Sequence, residues 1–293
     1  MKVLLIAAGA FAVYWFFFKK KKKTFEEYMA EGKAAAEGKN FEKALESYQN
    51  AVELNPQHVE ANERLGGIYS CMGKSDAAIR YFKKAIELDP KYMSAYYLLG
   101  CSYQDGEKYE DAIPCFQKVT EFRPDFKDAH KNLGEAYMKV KKYDEAIHSF
   151  QKVRDLDSKD DDILLSLAEA YYNLGKYDDA IIFLQKTLKN DDDDGITYFF
   201  LGKSYHGKGN FDEAIEAYQK AISSEYNEAD VHFFKGYACL QKGEYDRAMG
   251  CFKDAAALEP NAKVSDLKGK YDNFCDDALL EEYFEKARTL AKK

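Results

Sequence analysis

This chain of 293 residues lacks several sequence motifs that are typical of metal-binding and catalytic sites. Its six cysteines include no C-x-x-C pair, and its five histidines occur without an H-E-x-x-H or C-x-x-H spacing. The sequence contains no G-x-S-x-G stretch, so it lacks the motif that forms the nucleophile elbow of the α/β-hydrolases. These absences argue against a zinc site of common spacing and against hydrolase machinery. We therefore expect no enzyme activity, no catalytic residue, no bound metal and no cofactor.

Features that would bind phosphate groups are also lacking. Gly73-Lys74-Ser75 and Gly202-Lys203-Ser204 resemble the end of a phosphate-binding loop, but the glycine that the loop requires five residues earlier is absent in both places. Basic charge is scarce as well. The formal net charge is −8, and residues 24–293 contain 37 basic against 51 acidic residues. We therefore expect no nucleotide and no nucleic-acid partner.

Proline is rare, and its positions reveal the organisation of the chain. Four of the five prolines lie at the same position of a 34-residue period: Pro56, Pro90, Pro124 and Pro260. An alanine recurs with the same period and without a slip: Ala44, Ala78, Ala112, Ala146, Ala180, Ala214 and Ala248. A large apolar residue follows each alanine four positions later: Tyr48, Phe82, Phe116, Phe150, Leu184, Tyr218 and Phe252. A fixed period of this length predicts a stack of similar units, each burying its apolar face against its neighbours.

Each unit has the pattern of two short helices, and the second unit carries a known signature. The sequence resembles the tetratricopeptide-repeat family at these positions: Leu65-Gly66, Tyr69, Gly73, Ala78, Phe82, Ala85 and Pro90. The resemblance implies an all-α fold, a right-handed α-solenoid of seven tandem helix-turn-helix repeats. We predict that residues 24–262 form the repeats and that residues 263–293 form a C-terminal segment. In that segment, the amphipathic stretch 278–291 is expected to be a helix that caps the last repeat.

In the tetratricopeptide-repeat family, the first helix of each repeat lines a concave groove that binds peptides or proteins, and catalysis is rare. The resemblance assigns these partner-binding residues: Tyr97, Lys131, Leu165, Tyr172, Phe199, Lys203, His206, Phe233 and Tyr237. The alternative is that the aromatic rings pack against neighbouring repeats. We expect Phe199→Ala with Phe233→Ala to leave the fold intact and to weaken partner binding. The lysine and asparagine clamp of chaperone-binding members is incomplete, which disfavours a chaperone carboxylate as the ligand.

The first 23 residues contain an uncharged apolar run, residues 3–18, followed by five lysines. A helix of this length spans about 24 Å, slightly less than a bilayer core of about 30 Å. We predict that residues 1–23 form a single-pass membrane anchor, with a cleaved signal peptide as the alternative. The anchor residues include Val3, Leu4, Leu5, Ile6, Tyr14, Trp15, Phe16, Lys19 and Lys20. The lysines after the run predict that the repeats face the cytoplasm.

These observations lead to one functional prediction and one alternative. We predict a membrane-anchored scaffold or adaptor that binds a peptide or helix of a partner protein in its groove. The alternative is a structural scaffold that assembles with itself into a coat or array on a membrane. Homo-oligomerisation is compatible with both.

Overall fold

The computed structural model describes residues 23–157, 162–189, 192–224, 226–260 and 278–291. Over these residues the chain forms fifteen α-helices and no strand. The helices are α1 (Phe25–Glu37), α2 (Phe41–Leu54), α3 (Val59–Cys71), α4 (Ser75–Leu88), α5 (Met93–Asp105), α6 (Tyr109–Phe122), α7 (Lys127–Lys139), α8 (Tyr143–Leu156), α9 (Asp162–Asn173), α10 (Tyr177–Thr187), α11 (Gly195–Gly207), α12 (Phe211–Ser223), α13 (Ala229–Gln241), α14 (Tyr245–Leu258) and α15 (Ala278–Ala291). The predicted fold class is confirmed: seven consecutive helix pairs are followed by one more helix.

The helix pairs are distributed over two compact units. The first unit ends at Phe122 and contains α1–α6, and the second begins at Arg123 and contains α7–α15. The domain boundaries that we predicted from the sequence, 1–23, 24–262 and 263–293, stay predictions.

The turn inside each helix pair depends on one residue with a left-handed backbone. Four pairs place a glycine there, with φ between 70° and 83°: Gly73, Gly175, Gly209 and Gly243. The other three pairs place Lys39, Glu107 or Lys141 in the same conformation, with φ between 55° and 60°. A residue with a Cβ is strained in this region, whereas glycine is not. The chain therefore keeps the turn geometry even where the sequence lacks the residue that favours it.

A glycine recurs in the first helix and has a packing role. It occupies the same position of the period at Gly32, Gly66, Gly100, Gly134, Gly202 and Gly236. A Cβ added at Gly66 would lie 2.8 Å from Cε1 of Phe82, and one added at Gly100 would lie 2.7 Å from Cε1 of Phe116. In both cases the ring belongs to the second helix of the same pair. The alanine four residues before the ring is fully buried in every pair. In six of the seven units of the period, the helix pair is thus closed by a ring that packs against a glycine.

The fifth helix pair departs from this arrangement at both contacting positions. Ala168 replaces the glycine, and Leu184 replaces the aromatic ring. Both side chains are buried, at 1% and 0% exposure. The smaller Leu184 leaves room for the methyl group of Ala168, which indicates that the two positions are matched in size.

A tyrosine also recurs in the first helix, at Tyr69, Tyr103, Tyr137, Tyr171 and Tyr205, and it forms hydrogen bonds between successive pairs. Gln49 Nε2 donates to Tyr69 Oη over 2.8 Å, and Gln151 Nε2 donates to Tyr171 Oη over 3.2 Å. In each case the glutamine belongs to the preceding pair. These bonds tie neighbouring pairs together inside each unit.

Helix α15 covers the last helix pair. The Phe284 ring centroid lies 5.3 Å from that of Phe233 and 5.8 Å from that of Phe252. Leu280, Phe284 and Ala287 are fully buried. The prediction of a capping helix over 278–291 is therefore confirmed.

The predicted localisation, a single-pass membrane protein with cytoplasmic repeats, is corrected by the structure. None of the helices in the described part of the chain is long and apolar enough to span a bilayer. The longest have 14 residues, which corresponds to about 21 Å of helix against a hydrocarbon core of about 30 Å. The apolar run at residues 3–18, to which we assigned the span, lies outside the described residues.

Candidate functional site

The second unit contains a cavity of about 520 Å³ formed by helices α9–α13 and the turn between α11 and α12. We call it the aromatic cavity. Its lining consists of Tyr172, Tyr177, Lys203, His206, Gly207, Lys208, Gly209, Phe211, Tyr218, Phe234, Tyr237 and Gln241. Lining residues on one helix are spaced three or four apart, as in Phe234, Tyr237 and Gln241, so they share one helix face. The cavity is thus built from one face each of α11 and α13, together with residues of α9, α10 and α12.

Aromatic rings form most of the walls. The ring centroids of Tyr172 and Tyr177 are 5.7 Å apart. The His206 ring lies 4.8 Å from Tyr237 and 5.5 Å from Phe211. These separations are typical of packed aromatic pairs. The walls are therefore held in place by contacts among the lining residues themselves.

The lining carries positive charge and no carboxylate. Burial lowers the pKa of His206 to about 4, so its imidazole is neutral at pH 7. The remaining charged side chains of the lining are Lys203 and Lys208. Lys208 forms an ion pair with Asp178 of α10. The charged side chains of the cavity lining are thus basic, whereas the net charge of the whole chain is −8.

Lys203 is the most unusual residue of the site because it is a lysine with only 2% exposure. Its Nζ lies 4.3 Å from the ring centroid of Tyr172 and 4.9 Å from that of Phe200. Two further rings, those of Phe199 and Phe234, lie within 5.8 Å. Aromatic faces attract an ammonium and stabilise it where water is excluded. The rings therefore hold a positive charge inside the unit.

Lys203 also lines a second cavity, of about 300 Å³, which we call the polar cavity. Its lining consists of Glu135, Met138, Lys139, Lys141, Tyr143, Phe150, Ser166, Glu169, Asn173, Phe200 and Lys203. Burial raises the pKa of Glu169, and the charges of Lys203 and Lys139 oppose that rise. The carboxylates of the site, Glu135 and Glu169, thus belong to the polar cavity and not to the aromatic one. Over the described residues, no group of three or more His, Cys, Asp or Glu side chains is arranged to hold a metal ion.

Comparison with known families places the repeats in one of them. Tetratricopeptide-repeat models match residues 25–58, 59–92, 97–153, 138–198 and 201–263. Together these ranges extend over far more than half of the chain. The chain belongs to the tetratricopeptide-repeat family. Proteins of this family are generally scaffolds without catalytic activity.

Solved structures of other tetratricopeptide-repeat proteins resemble this one. A protein from Parabacteroides merdae ATCC 43184 is 19% identical, with a TM-score of 0.60 over 90% of this chain and 98% of its own. MamA is 26% identical, with a TM-score of 0.55 over 57% of this chain and 92% of its own. YrrB, described as having an unusual peptide-binding site, is 24% identical, with a TM-score of 0.57 over 63% of this chain and 95% of its own. Among curated proteins, no sequence relative matches the chain.

The structure separates the nine groove residues of this tetratricopeptide-repeat protein into groups. Four of them line the aromatic cavity: Tyr172, Lys203, His206 and Tyr237. Three others are half-buried and line neither cavity: Tyr97, Lys131 and Leu165. The last two are core residues: Phe199 and Phe233, with 1% and 0% exposure. Their assignment to partner binding stays a prediction for all nine.

The burial of Phe199 and Phe233 changes one expectation. The Phe199 ring contacts Tyr218 and Phe234 at centroid distances of 6.0 and 5.6 Å, and Phe233 contacts Phe284 of the capping helix. Replacing a core phenylalanine by alanine costs about 3–5 kcal/mol. The expectation that Phe199→Ala with Phe233→Ala leaves the fold intact is therefore wrong, and this pair does not test the groove.

Sequence reasoning missed several residues of the aromatic cavity. Tyr177 and Phe211 are the first residues of the second helices α10 and α12. An aromatic residue recurs at this position in six of the seven pairs, which by itself indicates no binding role. Gln241 ends α13 and is exposed. The signal that could have found Tyr177 and Phe211 is their place next to the left-handed turn, which brings the start of the second helix close to the end of the first.

Proposed function

We propose that this tetratricopeptide-repeat protein is a binding scaffold that holds a peptide segment of a partner protein in the aromatic cavity of its second unit. The observation that carries the proposal is the cavity itself. Its volume of about 520 Å³ lies within the range of ligand sites, and its walls combine apolar rings with a few polar groups. The proposal concerns binding alone and includes no catalytic step.

The nature of the walls favours a peptide as the ligand. Tyrosine, phenylalanine and histidine rings offer broad apolar surface at small loss of side-chain entropy, which suits the insertion of a large side chain. Seven of the twelve lining residues belong to the first helices of their pairs, and the tetratricopeptide-repeat family uses first helices to bind peptides and proteins. YrrB, a structural neighbour, is described as having a peptide-binding site, but a likeness of 24% identity shows the fold alone. The proposal therefore rests on the cavity.

The test is a selection of peptides from a random display library on the full-length chain. Gln241 is an exposed residue of the cavity lining, so Gln241→Trp introduces a large ring at the cavity and leaves the buried lining residues unchanged. We expect the selected peptides to bind the Gln241→Trp variant at least about tenfold more weakly, a difference of about 1.4 kcal/mol.

The matched control carries the same new residue elsewhere. Ile182 is 49% exposed on the second helix α10, away from both cavity linings. The Ile182→Trp variant should bind the selected peptides as the wild type does. Equal binding by all three proteins would overturn the assignment of the cavity. If no peptide is selected and light scattering gives a mass that grows with protein concentration, the alternative function, assembly of the protein with itself, is favoured over peptide binding.

A further inference from the structure

In the seventh helix pair, a cysteine replaces the tyrosine that recurs in the first helix. Five tyrosines follow one another at intervals of 34 residues, and Cys239 of α13 stands where the sixth would be. Helix pairs of a repeat array place equivalent positions in equivalent contacts. The partner of the tyrosine in the other pairs therefore indicates which residue Cys239 meets.

The tyrosine packs against the second helix of its own pair. Tyr69 of α3 stacks on Tyr81 of α4, with ring centroids 5.5 Å apart. Tyr171 of α9 stacks on Phe183 of α10, with ring centroids 5.4 Å apart. In both pairs the partner lies twelve residues after the tyrosine. The residue twelve positions after the cysteine of α13 is Cys251 of α14, so the seventh pair has a thiol at both positions.

The structure brings these two thiols into contact. The S–H group of Cys239 donates a hydrogen bond to Sγ of Cys251. The helix backbones also approach each other closely at this point, because a Cβ added at Gly236, one turn before Cys239, would lie 3.2 Å from Cβ of Cys251. A disulfide requires close helices, since its two Cβ atoms are about 3.5–4.5 Å apart. The two cysteines are therefore placed for a bond between α13 and α14.

We propose that Cys239 and Cys251 form a reversible disulfide when the folded protein meets hydrogen peroxide, and that this bond joins the two helices of the last pair. Neither residue lines the aromatic cavity or the polar cavity. The inference therefore concerns a separate modification site and does not rest on the proposed function.

The two sulfurs have different surroundings, which gives them different roles. Cys251 is 9% exposed, whereas Cys239 is 0% exposed. The hydrogen bond from Cys239 lowers the pKa of Cys251, and burial opposes this effect. The charges of Lys235 and Arg247 also lower this pKa, whereas that of Asp254 raises it. Because the thiolate is the nucleophilic form, Cys251 attacks the peroxide and Cys239 is the resolving thiol.

The reaction is a two-electron oxidation in two steps. The Cys251 sulfur attacks one oxygen of hydrogen peroxide, so that an S–O bond forms, the O–O bond breaks and the departing oxygen takes the thiol proton and leaves as water. The product is a sulfenic acid. The Cys239 sulfur then attacks the Cys251 sulfur, so that an S–S bond forms, the S–O bond breaks and the hydroxyl group leaves as water with the proton of Cys239. Overall, the two thiols are oxidised to a disulfide and the peroxide is reduced to two waters.

Cys115 provides a comparison inside the same chain. It occupies in the third pair the position that Cys251 occupies in the seventh, but the residue twelve positions before it is Tyr103. Its S–H group donates to the carbonyl oxygen of Asp111 over 3.4 Å, and burial raises its pKa to about 11. The partner position thus carries no thiol, and we expect Cys115 to stay reduced.

The experiment uses the full-length chain, reduced with dithiothreitol and then freed of it. The folded protein is treated with hydrogen peroxide, the remaining thiols are blocked with N-ethylmaleimide, and the non-reduced tryptic digest is analysed by mass spectrometry. Trypsin places the two cysteines in the separate peptides 236–242 and 248–253, because each peptide lies between two basic residues. We expect these peptides to be linked, with the mass of their sum less two hydrogens, and to separate when dithiothreitol is added. The peptide that contains Cys115 should carry the maleimide.

Single substitutions test the two roles. In Cys239→Ala the sulfenic acid of Cys251 has no resolving thiol, so dimedone, which traps sulfenic acids, should label Cys251. In Cys251→Ala, Cys239 should acquire neither a disulfide nor the dimedone label. Cys115→Ala is the matched control and should form the link as the wild type does. Far-UV circular dichroism and thermal unfolding establish that each variant is folded, and serine replaces alanine in a variant that is not.

The result with the wild type decides the inference without the variants. It is overturned if the native protein leaves peptides 236–242 and 248–253 unlinked, if they are linked only in urea, or if either cysteine pairs with a different one. Dimedone labelling of Cys239 in Cys251→Ala would refute the assigned order of attack. None of these results bears on peptide binding at the aromatic cavity, so failure of this inference and failure of the proposed function are distinguishable.

Discussion

Two adjacent glycines of α3, Gly66 and Gly67, provide a sharp test of the packing between the two helices of a pair. Both lie inside the same helix, so replacing either by alanine gains the same intrinsic helix propensity, about 1 kcal/mol. Their surroundings differ. A Cβ at Gly66 meets the Phe82 ring at 2.8 Å, whereas a Cβ at Gly67 meets nothing within 4 Å. The difference between the two variants therefore isolates the contact with Phe82.

The magnitude follows from the geometry. Ordinary contacts of a Cβ begin near 3.4 Å, so the fully buried ring of Phe82 would have to move by about 0.6 Å in a close-packed core. Inserting a methyl group into such a core costs about 1–3 kcal/mol. We expect Gly67→Ala to raise the free energy of unfolding by about 1 kcal/mol. We expect Gly66→Ala to leave it unchanged or to lower it by up to about 2 kcal/mol.

The fifth helix pair suggests the rescue, because Ala168 there faces Leu184 instead of a ring. Phe82→Leu should therefore offset part of the cost of Gly66→Ala, with a coupling of at least about 1 kcal/mol in a double-mutant cycle. The assay is urea unfolding of the full chain followed by far-UV circular dichroism. Hydrogen exchange of the α3 and α4 amides adds a local readout, since repeat arrays can unfold in parts. If Gly66→Ala and Gly67→Ala stabilise the protein equally, the packing argument is refuted.

Three further predictions concern single residues. Lys141→Gly should raise the free energy of unfolding by about 1 kcal/mol in urea titrations, because Lys141 has φ 60°, and the same change at Lys152 inside α8 should lower it. His206 has a folded-state pKa of about 4, below its ordinary value, so the unfolded chain takes up the proton first as the pH falls. The contribution of neutral His206 to the free energy of unfolding is thus fully present above about pH 6.5 and is lost as the pH falls towards 4. His206→Gln should therefore flatten the urea midpoint as a function of pH between pH 7 and pH 5. A pulse of iodoacetamide on the native chain should label the exposed Cys71 before the buried Cys239. A hydrogen bond to Cys251 and burial raise the pKa of Cys239, which should react only after unfolding. Early labelling of Cys239 in peptide mass spectra would contradict its burial.

Much of the fold could be read from the sequence because its signals are local and repeated seven times. The alanine that begins the apolar face of each second helix is fully buried in every pair, as its period predicts. The left-handed turn was readable at Gly73 but not at Lys141, because lysine carries no preference for that conformation. There, the packing of the two helices imposes a backbone that the residue itself disfavours.

The candidate site was predictable only in part. The repeat register, through the family resemblance, assigned Lys203, His206 and Tyr237 to a groove, and all three line the aromatic cavity. Their role in partner binding stays a prediction. The same register placed Phe199 and Phe233 in that groove, although both are buried. Burial depends on which rings of the next helices come within contact distance, and no position in a single repeat encodes that.

The sequence by itself therefore determined the helix pairs, their 34-residue period and the apolar contact positions inside each pair. These properties depend on spacing along one chain and on contacts within 34 residues. Only the tertiary structure decided which side chains of the first helices line a cavity and which form the core. It also decided that Lys203 lies among four rings, because those rings come from α9, α11 and α13, and their meeting point exists only once the helices are packed.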